Sequence, residues 1–230
     1  MTNIKIISKE EFLKENKKPN QEKIWNSISQ PWQLYRVNKI PIVEEFLKNK
    51  KGKVIDLGCG TGRNMIPNQK ITYYGIDFSE NQIKQAKKYA EEKKIKAILI
   101  KTDIANLSKK NFRDEMFDYG LFIASLHCIE TKEKRQRALK EFYRTLKKNS
   151  ESLISVWNSE DKRFAHVNNH GDIYMSWKEN NIPYMRYYYL YKKQELLSLL
   201  KKIGFKIPED YKPVEHDRFS KKNWIFKVRK

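Results

Sequence analysis

The stretch Lys53-Val54-Ile55-Asp56-Leu57-Gly58-Cys59-Gly60-Thr61-Gly62 runs from an apolar segment directly into three alternating glycines. This pattern predicts a buried β-strand that ends in a tight turn, because glycine accepts backbone conformations closed to other residues. It also lets the main chain approach a flat, polar ligand closely. The dinucleotide fingerprint requires glycine where Arg63 stands, so the turn favours another ligand class. Alone, the motif would also suit a glycine-rich strand-to-helix turn in any α/β protein.

Acidic residues follow the next two predicted strands. Residues 71–77 predict a strand that ends in Asp77, and an acid at this place can accept hydrogen bonds from both hydroxyls of a ribose. Residues 97–100 predict a third strand, followed by Asp103 and Ile104. A carboxylate beside an apolar side chain suits the amine and the ring of an adenine. With Asp56, three acids stand at three successive strand ends, which a chance turn does not explain.

The order of elements predicts an α/β fold with a doubly wound, mostly parallel, seven-stranded sheet. Strands are expected near 53–58, 71–77, 96–102, 117–125 and 151–157, with helices near 79–94 and 131–148 and two last strands near 205–211 and 224–228. Residues 1–50 are expected to form a helical extension of the same domain. Residues 51–230 would form the main domain, with an insertion at about 158–191 that is long, polar and aromatic and suits substrate recognition.

Composition narrows the class of protein. The chain has 230 residues, is 39% hydrophobic and carries a net charge of +20, so it is globular and suits a polyanionic partner such as RNA without requiring one. No apolar run approaches the roughly 20 residues that span a bilayer, and the N-terminus lacks a signal-peptide core, so a soluble cytoplasmic protein is expected. Two cysteines and four scattered histidines predict no metal site.

The glycine turn together with the three strand-end acids resembles the S-adenosylmethionine (SAM) loop of class I methyltransferases. The resemblance implies that SAM is the cofactor. The residues implied to bind it are Asp56, Gly58, Cys59, Gly60, Gly62, Asp77, Phe78, Asp103 and Ile104.

Several further segments resemble one methyltransferase family, the tRNA wobble-uridine carboxymethyl methyltransferases, which include the methyltransferase domain of the human AlkB-like tRNA-modifying enzyme. Two differences from the family pattern are Cys128 after His127, where the family often has a second histidine, and Tyr189, where it has a histidine. The matching segments are Ile24-Trp25, Tyr35-Arg36 with Pro41 and Phe46-Leu47, residues 125–135, Val156-Trp157-Asn158, Gly171-Asp172 with Trp177, residues 186–191, and Glu195-Leu196.

The resemblance implies esterification of 5-carboxymethyluridine at position 34, in the anticodon loop of tRNA. A carboxylate is already ionised at neutral pH, so the enzyme would act by holding it in line with the methyl donor rather than by removing a proton. Arg36, His127 and Arg186 are the implied catalytic residues. The implied substrate contacts are aromatic, namely Trp157, Trp177, Tyr187 and Tyr188.

Other interpretations remain open at this point. The chain could methylate a small metabolite, or it could be a catalytically silent RNA-binding subunit that keeps the fold. His127 could be a core histidine, the aromatic residues could be core, and Arg186 could pair with Asp172 or Glu179. The family also implies a small zinc-binding activator protein, which would pair with the predicted edge strand at 96–100.

Overall fold

A computed structural model describes residues 4–36, 38–179, 182–208 and 218–230 of the chain. The helices, in chain order, are α1 (Lys9–Glu15), α2 (Gln21–Ser27), α3 (Ser29–Tyr35), α4 (Pro41–Leu47), α5 (Glu80–Glu92), α6 (Lys132–Thr145), α7 (Lys193–Ile203) and α8 (Arg218–Lys222). The strands are β1 (Ile6–Ser8), β2 (Gly52–Leu57), β3 (Ile71–Asp77), β4 (Ala97–Lys101), β5 (Phe117–Ile123), β6 (Leu146–Trp157), β7 (Gly171–Glu179), β8 (Ile182–Leu190) and β9 (Asn223–Arg229).

The main sheet has six strands in the order β4-β3-β2-β5-β6-β9. All neighbouring pairs are parallel except β6 and β9, which are antiparallel. The predicted α/β architecture is therefore confirmed. A seventh strand at 205–211 is not formed over the described part of that range, where Lys206 makes only an isolated bridge to Arg229. Residues 209–211 lie outside the described residues.

Helices cover both faces of this sheet. On one face, Ala138 and Phe142 of α6 join Leu196 of α7 in the core, whereas on the other face Leu47 of α4 packs with Ala86 of α5. Complete burial of a side chain such as Phe142 contributes about 1.5–3 kcal/mol. These helices fix the carboxyl ends of the parallel strands, which is where ligands bind in such sheets.

Polar caps set where the two long helices begin. The side chain of Ser79 accepts a hydrogen bond from the Gln82 amide at the start of α5, and Thr131 does the same for Lys134 at the start of α6. Helix α6 is shorter than the predicted 131–148, because the chain turns into β6 directly after Thr145.

A second, three-stranded sheet lies outside the main one, in the order β1-β7-β8. Strands β7 and β8 form an antiparallel hairpin within the predicted insertion, with Tyr174 opposite Tyr187. Strand β1 comes from the N-terminal extension, where only helices were expected, and it pairs with β7. The extension and the insertion therefore form one structural unit.

Strand β4 is an edge of the main sheet, as predicted for the third strand. Its Ile98 is 45% exposed, which is unusual for a large apolar side chain in a strand of the main sheet. Among the described helices, none has the length and apolar character to cross a membrane.

Candidate active site

A cavity of about 530 Å³ opens at the carboxyl ends of β2, β3 and β5. The glycine turn after β2 lines it, together with Asp77 at the end of β3, Phe78 directly after β3, and Ser125 after β5. The N-terminal segment 18–22 completes it and is held there by an ion pair between Lys18 and Glu130, with 2.9 Å between Nζ and Oε2. The cavity is large enough for a nucleoside-sized cofactor and part of a substrate.

The glycines of the turn have different tasks. Gly58, Gly60 and Gly62 all have positive φ angles, of +72°, +55° and +85°. A Cβ on Gly58 would lie 2.4 Å from Cβ of Ser125, so only glycine fits between these two cavity-lining segments. Gly62 faces away from the cavity, since a Cβ there would lie 2.4 Å from Cε of Met65. Gly58, Cys59 and Gly60 line the cavity.

Asp77 is a buried carboxylate at the cavity. Its Oδ2 accepts a hydrogen bond from the Gly60 amide at 3.0 Å and its Oδ1 accepts one from the Ser79 amide at 2.9 Å. Burial raises the pKa of Asp77 to about 6, against the opposing effect of these backbone hydrogen bonds. It joins the glycine turn to the start of α5 and still borders the cavity.

Asp56 does not border the cavity, although the sequence placed it among the cofactor residues. Its carboxylate accepts hydrogen bonds from Nδ2 of Asn64, at 3.3 and 3.1 Å. Burial raises the pKa of Asp56 to about 7, and the Asn64 hydrogen bond opposes the rise. Asp56 is therefore connected to the cavity through its hydrogen bonds with Asn64, which does border it.

Sequence reasoning missed two polar residues at this cavity, Asn64 and Gln82. Both are buried and border the cavity, and each leaves its side-chain oxygen without a hydrogen-bond partner. A buried acceptor without a donor is costly, so both oxygens suit a ligand that donates, such as an ammonium group. Their only signal in the sequence was their polarity and position. Asn64 lies just beyond the glycine turn, and Gln82 lies in the first turn of α5.

Asp103 and Ile104 border the cavity side by side, in the arrangement expected for an adenine pocket. Oδ1 of Asp103 accepts a hydrogen bond from the Ala105 amide at 2.9 Å and so begins a 3₁₀ turn, while Ile104 is largely buried. Lys134 of α6 lies 3.9 Å from Oδ2 of Asp103. Together with Asp77, Asn64 and Gln82, these residues fit the hydroxyls, the base and the amino group of SAM.

His127 is completely buried and does not border the cavity. Its ring packs between neighbours, 5.0 Å from Trp157 and 5.6 Å from Tyr188, and neither ring nitrogen has a hydrogen-bond partner. Burial, followed by the charges of Arg163 and Arg36, lowers the pKa of His127 to about 3. The imidazole is therefore neutral at physiological pH. Trp157 and Tyr188, whose rings are 4.0 Å apart, do border the cavity.

The two nominated arginines differ in position. Arg36 borders the cavity with its guanidinium 4.5 Å from the ring of Trp32, and burial lowers its pKa. Arg186 is only 4% exposed and does not border the cavity. Aromatic rings surround its guanidinium at 5.2–5.9 Å, and its Nη2 donates to the Ser176 carbonyl. Those rings belong to Trp25, Trp32, Trp177 and Tyr188.

The remaining two nominated substrate residues lie away from the cavity wall. Tyr187 is buried, its hydroxyl donates to Asp172, and it accepts a hydrogen bond from Arg135 at 2.9 Å. Asp172 also pairs with Lys9 and Arg135. Among the described residues, its carboxylate is therefore bound by these groups and by Tyr187, and not by Arg186. Trp177 is half-buried, 5.5 Å from Trp32 at ring centroids.

Over residues 4–36, 38–179, 182–208 and 218–230, no group of histidine, cysteine and acidic side chains is arranged to hold a metal ion. The cavity lining itself combines carboxylates, amides and aromatic rings with the guanidinium groups of Arg36 and Arg63.

Comparisons with known proteins agree with this geometry. A family described as "Methyltransferase domain" matches residues 48–204. A tRNA (carboxymethyluridine(34)-5-O)-methyltransferase of Schizosaccharomyces pombe is 27% identical over 87% of this chain and 92% of its own length. The protein of the same name from Saccharomyces cerevisiae is 30% identical over 67% of this chain, and the match spans only 55% of that relative.

Solved structures show the same fold at low sequence identity. A SAM-dependent methyltransferase from Methanosarcina mazei has a TM-score of 0.65 and 22% identity, over 84% of this chain and 98% of that one. The Burkholderia thailandensis 1,6-didemethyltoxoflavin-N1-methyltransferase, solved with S-adenosylhomocysteine, has a TM-score of 0.69 and 15% identity, over 100% of this chain and 96% of that one. From the family match, the fold and the cavity, this chain belongs to the methyltransferase-domain family and is a class I SAM-dependent methyltransferase.

Proposed function

We propose that this enzyme methylates the carboxymethyl group of 5-carboxymethyluridine at the wobble position of tRNA. The relatives named above carry this activity in their names. The observation that best supports the proposal is Arg36, an arginine at the cavity without an acidic partner among the described residues, facing the same space as the cofactor-binding acids. A cation so placed suits a carboxylate substrate.

Cofactor binding would be divided among three sets of groups. Asp77 would accept hydrogen bonds from the ribose, Asp103 and Ile104 would hold the adenine, and the free oxygens of Asn64 and Gln82 would accept from the amino group. The glycine turn, held open by Gly58 and Gly60, would let the backbone lie against the cofactor. When bound, SAM supplies an electrophilic methyl group.

The residues on the substrate side would orient the acceptor rather than activate it. Because the substrate carboxylate would already be ionised at neutral pH, its methylation would require no proton transfer to these residues. Arg36 would hold the carboxylate, and Trp157 and Tyr188 would enclose it and exclude water. His127, which is neutral and buried, would support those two rings.

Arg186 is proposed as a positioning residue. Its guanidinium lies among the rings of Trp32, Trp177 and Tyr188, and so holds the aromatic side of the cavity in place. It would influence the substrate through Trp32 and Tyr188, the two of these rings that border the cavity.

We also propose that a small zinc-binding activator protein adds a strand to β4. The supporting features are that β4 is an edge strand and that it exposes Ile98. We expect the pair to act in the cytoplasm.

Replacing Ile98 with lysine should abolish co-purification of the two proteins, while the Lys88→Glu variant, on the exposed face of α5, should leave it intact. Co-purification with Ile98→Lys would rule out this site.

The reaction can be tested with labelled SAM, the candidate activator, and bulk tRNA from a strain that lacks the methyltransferase, followed by nucleoside mass spectrometry. We expect a base-labile methyl ester on the wobble uridine. Absence of labelled tRNA despite measurable SAM binding would overturn the proposal and favour a small-molecule acceptor. Absence of SAM binding as well would favour a catalytically silent RNA-binding protein.

A further inference from the structure

Two large apolar side chains are exposed next to each other at the end of α3. Leu34 is 70% exposed and Tyr35 is 60% exposed. Single exposed apolar residues are ordinary on protein surfaces, so exposure alone identifies no site. What distinguishes Tyr35 is its connection to the cavity.

Aromatic rings run continuously from the cavity wall to Tyr35. Trp32 borders the cavity, and its ring centroid is 5.5 Å from that of Trp177. The Tyr35 ring in turn lies 5.5 Å from Trp177 and 6.3 Å from Trp32. A ligand that leaves the cavity along Trp32 therefore meets Trp177 and then Tyr35.

Cations lie beside these rings without acidic partners. The Arg36 guanidinium is 5.5 Å from the Tyr35 ring, and the Arg186 guanidinium is 5.3 Å from the Trp177 ring. Neither arginine pairs with an acid among the described residues, and both have a buried Nε without a hydrogen-bond partner. The indole Nε1 of Trp177 is also buried and unpartnered.

Exposed aromatic faces beside an unneutralised cation suit single-stranded nucleic acid. Bases stack on the exposed rings, and a phosphate can approach the half-buried Arg36 guanidinium beside Tyr35. An apolar protein surface would instead cover Arg36 without a counter-charge, which is costly.

We propose that Tyr35 and Trp177 form an outer stacking platform for the unpaired base next to the uridine held in the cavity. This inference rests on the proposed function and adds to it the recognition of a neighbouring nucleotide. The platform would favour a base in an open loop over one in a duplex, because a paired base presents only its edges.

The test uses the full chain with its activator and anticodon stem-loop RNAs that carry 5-carboxymethyluridine. We expect Tyr35→Ala to lower kcat/KM about 5- to 100-fold, mainly through KM, as loss of one stacked base does. Tyr35→Phe, the matched control, keeps the ring and should behave as wild type. SAM affinity should be unchanged in both variants.

A second arm identifies the neighbour. Two stem-loops are made, each with an abasic nucleotide on one side of the uridine. For one of them, we expect the kcat/KM of wild type to fall to the value that Tyr35→Ala shows with the intact stem-loop. Combining that RNA with Tyr35→Ala should cause no further loss, because the same contact is already missing. Fully additive losses would overturn the proposal.

The two proposals fail differently. If wild type does not methylate the intact stem-loop or tRNA, the proposed function fails. If wild type methylates it and Tyr35→Ala is equally active, only the platform fails. Should Tyr35→Ala fold poorly, photo-crosslinking of wild type with 5-iodouridine at each flanking position gives an independent answer. A crosslink at Tyr35 or Trp177 is expected, and crosslinks elsewhere alone would contradict the platform.

Discussion

Asp77 is the residue whose ionisation should control cofactor binding. Its carboxylate has a pKa of about 6 because of burial, and it would accept hydrogen bonds from the ribose best when ionised. SAM affinity should therefore be constant above pH 7 and fall about tenfold per pH unit below 6. Isothermal titration calorimetry between pH 5 and 8 checks this.

Asp77→Asn should weaken SAM binding about 10- to 100-fold at pH 7.5 and reduce its acid dependence, since the amide does not titrate whereas Asp56 beside Asn64 still does. The exposed Asp114, which pairs with Arg144, serves as control, and Asp114→Asn should bind SAM normally. An unchanged pH dependence in Asp77→Asn would contradict this role.

The same pKa shift has an opposite consequence for stability. Because the pKa of Asp77 is raised from 3.8 to about 6 on folding, the folded state favours the protonated form. The stability from this group is fully present below pH 3.8 and is lost as the pH rises through about 6. Tight cofactor binding and the stability of the free enzyme thus have opposite pH preferences at this one residue.

His127 should not act as a general base. Its pKa is about 3, so it is neutral from pH 5 upward. At saturating SAM, kcat should therefore show no inflection near pH 6.5. His127→Gln should lower kcat by up to about 100-fold through displaced ring packing, with the shape of the pH profile unchanged. An inflection near pH 6.5 that disappears in His127→Gln would contradict this view.

At the residue scale, the sequence located cavity residues best where the end of a strand alone determines which residue type is needed. Gly58 directly follows β2 and Asp77 is the last residue of β3, so local chain geometry sets their position at the cavity. Asn64 and Gln82 were missed because their importance lies in an oxygen left unpartnered at a cavity, which depends on how α5 packs against the turn. For Tyr187, strand alternation could not decide which side chains face the cavity.

At the scale of elements, the Arg135–Tyr187–Asp172 group connects α6 to the hairpin of β7 and β8. Tyr187→Phe would leave the buried Arg135 guanidinium without one acceptor. We expect it to lower the free energy of unfolding by about 1–3 kcal/mol, with kcat largely retained. Chemical denaturation and activity assays check both quantities.

Tyr174 provides the matched control for this prediction. It lies opposite Tyr187 in the hairpin, and its hydroxyl is buried without a partner. Tyr174→Phe removes an unsatisfied group and should leave stability unchanged or raise it. If Tyr187→Phe were as stable as wild type but lost tRNA affinity, Tyr187 would contact substrate after all.

Elements were predictable in proportion to their length and periodicity. Helix α5 has buried residues at helical spacing and a serine cap, so its extent was close to that expected. Strand β1 has three residues, too few to show alternation, and its pairing with β7 joins positions more than 160 residues apart. Helix α3 is separated from α2 by the single residue Ile28 and contains Pro31 in its first turn, where the missing amide hydrogen removes no helical hydrogen bond.

For the whole molecule, the net charge of +20 should make tRNA binding strongly dependent on salt. Displacing counterions from three or four phosphates would weaken binding roughly 20- to 150-fold between about 50 and 200 mM KCl. SAM should respond far less, since the groups proposed to bind it, such as Asp77 and Asn64, are buried. Fluorescence anisotropy with labelled tRNA, and calorimetry with SAM at the same salt concentrations, would separate the two. A flat salt response for tRNA would mean that the excess lysines reflect composition alone and that recognition depends on the aromatic residues around the cavity.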